Sequence, residues 1–213
     1  MINHYAIQLL DHYLETNMDL FVKEATAFKT NVAVYCFLKN EFKKGDIRNN
    51  VLFQWVFSSF YRMGMVSIEN RKSFFARMES LRDKHSSLDA KHVTEELRTS
   101  LGKELFSFAT KMINLLDDES YPIYDKHVAI VFQKPFRPDE TALGHKASVY
   151  EDIIDTYKEL RSHSIISDFK TTFHCPEMGY MKVLDALFWH LGHVLDGGGL
   201  ERTPGEFLSE QGQ

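Results

Sequence analysis

Apolar residues in this chain recur at intervals of three and four almost from end to end. A chain patterned this way buries its apolar surface by packing helix on helix, because only the helical period puts those residues on one face. From Tyr5 the series runs through Ile7, Leu10 and Leu14, then Leu20, Phe21, Ala25, Phe28, Val32 and Tyr35. The spacing predicts two helices, broken near Asn17, with Asp19 close to the second start. Gly45 and Asp46 mark a turn. Leu52, Trp55, Val56, Ser59, Phe60 and Met63 give the next helix its inward face, ended at Gly64. Ser67 and Glu69 open another, with Phe74, Phe75, Met78 and Leu81 inward. Val93, Leu97 and Leu101 are spaced for a further helix, and the stretch from Leu105 to Leu116 is the most apolar of all. Ser86 to Asp89 and the segment around Pro135 and Pro138 read as loops, since proline forbids regular helix on either side. Ser148 to Leu160 is amphipathic. Pro176 and Glu177 are expected to start the last helix, with Val183, Leu184, Leu187, Phe188, Leu191 and Val194 inward and Gly197 to Gly199 as the stop. Val128 to Phe132 has strand-forming residues but follows a capping aspartate at helical register. The fold class is therefore all-α, a compact assembly of about eight to ten helices.

The length of 213 residues suits one generous domain or two small ones. A net charge of −5 excludes a protein that coats nucleic acid by bulk electrostatics, so DNA would have to bind at a local basic patch. Cys36 and Cys175 lie far apart in different kinds of segment, which argues against a disulfide framework and fits a reducing cytoplasm. His4, Asp11 and Glu15 interrupt any signal-peptide pattern, and no window approaches the roughly 20 apolar residues of a membrane span. The expectation is a cytoplasmic protein with no membrane partner.

The segment Tyr121-Pro-Ile-Tyr-Asp125-Lys-His127-Val128 carries the most specific signal. It reads as a proline-fixed approach to a helix that opens on Asp125. An aspartate there is ordinarily a cap, its oxygen accepting the unpaired backbone N–H groups of the first turn. The functional reading is a carboxylate that orients water or stabilises a developing cation during hydrolysis.

Pro122-Ile-Tyr-Asp125-Lys-His127-Val128, the preceding Phe108-Ala109-Thr110-Lys111 and the terminal run Leu184 to His193 with Gly192 together resemble the helix-hairpin-helix DNA glycosylase superfamily. The likeness is closer to the small bacterial proteins related to 8-oxoguanine-type glycosylases. It implies a glycosylase-like helical half over residues 100–200, packed on an N-terminal helical half over 1–99, with a polar tail at 201–213. It implies DNA as partner and excision of a modified base, with Asp125 steadying an oxocarbenium-like sugar and positioning water. Lys103, Lys111, Tyr124, Lys126, His127 and Trp189 are then the contacts to DNA or the flipped base, and Lys134 lies in the same basic region. Phe106, Phe108 and Tyr61 complete the aromatic residues available to line a base pocket.

The chain also departs from that pattern. The superfamily hairpin carries a Gly-apolar-Gly turn whose N–H groups hold a phosphate. Here Gly102 stands alone, followed by Lys103-Glu104-Leu105-Phe106. Where strand-cleaving members place a lysine nucleophile, this chain has Ser107. Lys111 lies two positions beyond Ala109, which turns it to roughly the opposite side of an ideal helix. The sequence thus reads as a monofunctional glycosylase with water as the attacking group. No set of four cysteines spaced for an iron–sulfur cluster is present, and no cofactor is expected. The alternative, of a different class, is a catalytically inactive module of the same fold that acts through DNA or protein binding.

Three further clusters read as structural. His190 and His193, with His174 and Cys175 upstream, lack the paired spacing of zinc motifs, and no metal is expected. The aromatic run Trp55 to Tyr61 is spaced as core, with Arg62 capping its end or reaching a phosphate. Lys39 to Arg48 and Arg71 to Lys84 are basic runs mixed with acidic residues, as on solvated faces.

Overall fold

The computed structural model describes residues 1–23, 25–82, 88–134 and 142–197, and within these it leaves out the side chains of residues 16–28, Met65 and Ile68. Among the described residues the protein is all-α, with ten α-helices and no strand. They are α1 (His4–Lys23), α2 (Ala25–Lys44), α3 (Val51–Phe60), α4 (Ile68–Ser80), α5 (Ala90–Leu101), α6 (Phe106–Leu116), α7 (Lys126–Val131), α8 (Leu143–Glu159), α9 (Ser164–Thr172) and α10 (Tyr180–Asp196).

Several helix starts follow from local chemistry. Asn50, Ser67 and Asp89 each accept a first-turn N–H, opening α3, α4 and α5. Gly102 closes α5 with φ +67°, a left-handed conformation that favours glycine, and donates its N–H to the Arg98 carbonyl at 2.9 Å. Phe74, Phe75, Met78 and Leu81 are buried as the spacing predicts, and so are Val93, Leu97 and Leu101.

Other boundaries differ. α1 runs through Asn17 to Lys23, so the backbone does not break there. α3 is rotated from its expected face: Phe53, Phe57 and Tyr61, four apart, point inward, while Leu52 and Trp55 are 55% and 67% exposed. The reason lies across the interface, where Phe57 meets Phe74 and Phe75 at ring separations of 5.8 and 5.6 Å. Pro176 and Glu177 form a turn, and α10 begins only after Gly179. A Cβ on Gly179 would overlap the Asp118 backbone, and its N–H donates to Asp118 Oδ2 at 2.9 Å. α8 starts earlier than its amphipathic stretch suggests, and α9 has no counterpart in the sequence reading.

Residue 99 lies inside α5, which packs on α6, and α1 and α2 reach across to α10 and α6. The closest association is α7 against α10, where a Cβ on Gly192 would overlap the His127 carbonyl. No helix of the described residues is long and apolar enough to cross a membrane. The loop readings at Ser86–Ser87 and Pro135–Pro138, the stop at Gly198–Gly199 and the tail at 201–213 lie outside the described residues.

Candidate functional site

Residues 121–125 run as irregular backbone between α6 and α7, and four buried side chains from three helices hold them in place. From α6, the Asn114 amide donates to the Tyr121 carbonyl at 2.7 Å and Thr110 Oγ1 accepts the Tyr124 N–H at 3.0 Å. From α8, the Tyr150 hydroxyl donates to the Pro122 carbonyl at 2.8 Å. From α10, both oxygens of Asp185 accept the Ile123 N–H at 2.9 Å. Each of these polar groups would cost free energy if buried unpaired. Together they fix where the segment delivers Asp125.

Asp125 does cap α7: its Oδ1 accepts the His127 N–H at 3.1 Å. Its Oδ2 has a different neighbour, the Lys111 ammonium at 3.6 Å, and the side chain keeps 23% of its surface exposed. Lys111 is nearly buried, with its amine bonded to Ser107 Oγ at 3.1 Å. The rings of Phe108 and Tyr61 lie 5.1 and 5.4 Å from that amine. Desolvation pulls the Lys111 amine below the usual lysine range, and the charge of Asp125 partly restores it.

The sequence turned Lys111 away from the expected chemistry by reference to Ala109. The relevant neighbour is Ser107, one helical turn earlier, and residues four apart share a face. The amine therefore lies on the Ser107 face of α6, bonded to that hydroxyl.

Asp125 and Lys111 open into a cavity of about 340 Å³, walled by α2 (Val32, Tyr35), the end of α3 (Phe60, Tyr61, Arg62) and α10 (Lys182, Asp185, Ala186, Trp189). That volume is at the small end of ligand sites, which span about 300–1,000 Å³. Burial pushes the Asp185 carboxyl up to about 8, a shift that the Lys182 charge and the Ile123 N–H offset only in part. Burial also pulls the Lys182 amine below the lysine range, against the charges of Asp185, Asp118 and Asp125. Beneath the cavity, the Tyr35 hydroxyl meets Asp118 at 3.0 Å and Asn114 at 3.2 Å, and Asp118 pairs with Lys39.

At the mouth, Trp189 and His193 stack with rings 4° apart in angle and centroids 5.5 Å apart. His127 sets its edge against both, and its buried Nδ1 makes no hydrogen bond. Lys126 is exposed and paired with Asp196 at 2.7 Å. Arg62, also exposed, has φ 54° and ψ 50°, a strained backbone for a residue with a side chain.

Of the residues singled out in the sequence, Asp125, Lys111, Lys126, His127 and Trp189 line one cavity. Tyr124 does not: it is buried, its ring packed edge-on against Phe106 at 5.1 Å. Lys103 is exposed in the turn between α5 and α6, away from the cavity walls. Gly102 serves as the α5 cap, with no second glycine beside it. Lys182, Asp185 and Tyr35 were not among the site residues expected from the sequence, where Tyr35 appeared only on a helical face. Their one signal is charge and hydroxyl set inside otherwise apolar helical faces. His190 is buried and bonded to the Tyr13 hydroxyl at 2.9 Å, whereas His193 is exposed. Among the described residues no three His, Cys, Asp or Glu side chains gather as a metal site would need.

Comparison with protein-family models, with curated proteins and with solved structures finds no match to this chain.

Proposed function

We propose that the cavity receives one nucleoside extruded from a DNA strand and that Asp125 and Lys111 act on its sugar to break the N-glycosyl bond. The observation that carries this reading is the second oxygen of Asp125. It faces a desolvated lysine amine at 3.6 Å inside a ligand-sized cavity, instead of being consumed by the helix end. A carboxylate at that point stabilises positive charge developing on the sugar ring. Partial burial raises the neutral fraction of the amine, the form able to attack carbon. As the C1′–N bond breaks, its electron pair leaves on the base. Either the Lys111 amine or a water steadied by Asp125 then bonds C1′. The Trp189 ring offers a face for stacking the extruded base, and Arg62 and Lys126 offer cations near the strand.

Duplexes carrying a panel of modified bases, incubated with the protein and then borohydride, test this and separate its two routes. A covalent protein–DNA adduct lost in Lys111→Gln marks attack by the amine. Abasic sites without an adduct mark attack by water. Neither product on any duplex removes the reading. A second reading is a catalytically silent module that binds DNA or a protein. The single hairpin glycine, the acidic net charge and the Asp196 carboxylate beside Lys126 favour it. Its signature in the same assay is retention of a duplex with no chemistry.

A further inference from the structure

We infer that Tyr61 and Lys182 form the base-reading pair of this cavity, suited to a base that presents an exocyclic carbonyl oxygen; this rests on the cavity taking an extruded nucleoside.

The argument is an inventory of polar groups. Once a sugar occupies the Asp125–Lys111 pair, few wall groups are left for the base. Both Asp185 oxygens hold the Ile123 N–H, and the Tyr35 hydroxyl is engaged by Asp118 and Asn114. Asn31 and Arg62 are exposed, toward solvent. Two groups remain. The Tyr61 side chain is 9% exposed and lines the cavity, yet its buried hydroxyl has no hydrogen-bond partner. The Lys182 ammonium stands 5.0 Å from the centre of the Tyr35 ring, in the field of the Asp185, Asp118 and Asp125 carboxyl groups. A buried hydroxyl left unsatisfied is uncommon and calls for an explanation. A ligand that supplies the missing partner is one.

The chemistry of these two groups selects the ligand. An ammonium only donates, and a phenol donates readily. A carbonyl oxygen on the base can accept from both, whereas an exocyclic amine at the same place sets donor against donor at Lys182 and leaves only the phenol oxygen to accept. Charge flow favours the same class. When the C1′–N bond breaks, the electron pair on the base spreads to its carbonyl oxygens, where the Lys182 ammonium and the Tyr61 hydroxyl can donate to it. The pair therefore reads the oxo group before cleavage and stabilises it during departure. Sites built around such hydrogen bonds reject the wrong partner by about a hundredfold or more.

Matched nucleosides differing only in that group make the test: deoxyinosine against deoxyadenosine, and deoxyuridine against deoxycytidine. Each is titrated calorimetrically into the full chain. The expected result is at least about tenfold tighter binding of the oxo member of each pair, a conservative share of the discrimination such sites reach. Tyr61→Phe and Lys182→Met are each expected to bring the ratio toward one, and Lys182→Arg to retain it. Thermal melts report whether each variant is folded. Equal binding within both pairs by the wild type, or no binding of any of them, overturns the inference. So does a preference that survives both Tyr61→Phe and Lys182→Met in folded protein. Excision is scored separately on duplexes carrying the same four bases. Oxo-selective binding with no cut duplex upholds the base-reading pair and removes the glycosylase reading. Cutting that ignores the oxo group upholds the glycosylase and removes the pair.

Discussion

Two helices of this protein, α5 and α7, begin in the same way and end up with different work. Asp89 caps α5 by accepting the Lys91 N–H at 2.8 Å, and Asp125 caps α7 by accepting the His127 N–H at 3.1 Å. Locally the two are interchangeable. Asp89 is exposed. Asp125 is half-buried, and its other oxygen looks across a cavity at a desolvated ammonium. The contrast teaches that capping takes one oxygen of a carboxylate, and the surroundings decide what the second one does.

The strongest way to break this comparison is Asp125→Asn. Asparagine caps as well as aspartate but leaves the buried Lys111 amine without its carboxylate, so stability is expected to fall by about 1 kcal/mol while excision falls by about a hundredfold or more. Single-turnover cleavage beside a urea melt measures both, and unchanged cleavage would make Asp125 no more than Asp89. Next in size is Gly192→Val. The new side chain collides with the His127 carbonyl, and parting α7 from α10 is expected to cost about 3 kcal/mol in a urea melt. Asp89→Ala is expected to cost about 1 kcal/mol by loss of a cap, with nucleoside binding and cleavage unchanged.

The smallest effect concerns pH. Asp185 has a raised pKa in the fold, so the folded state holds a proton that the unfolded chain has released. Its contribution to stability is full below the ordinary carboxylate range and is lost as pH rises through the folded value of about 8. Asp185→Asn is expected to flatten that part of the stability profile, and an unchanged slope would assign the dependence elsewhere. Lys111 has a lowered pKa, so cleavage through its amine is expected to rise with pH and level off below the range of an ordinary lysine.

Several elements were legible before any coordinates. The inner faces of α4 and α5 and the cap at Asp125 follow from nearest-neighbour chemistry on one helix, and each is present as expected. The α3 face was misjudged because Trp55 and Phe57 are equally apolar. Only the rings of Phe74 and Phe75, brought in by another helix, decide that Phe57 faces inward. Lys111 was placed by reference to Ala109, two residues away, and nothing in that spacing announced that its amine reaches back one turn to Ser107. Lys182 and Asp185 looked like ordinary charges on an amphipathic helix.

The sequence by itself determined that this chain folds into helices, where some of them begin and that a carboxylate stands at the start of α7. These are consequences of a 3.6-residue period and of unpaired backbone groups, which act over a few residues. Only the tertiary structure decided that the carboxylate, two lysines, a hydroxyl without a partner and an indole share one small cavity. Burial is a property of the assembled fold, and it turns Lys111, Lys182 and Asp185 from common surface residues into groups whose charge is costly and therefore available for chemistry.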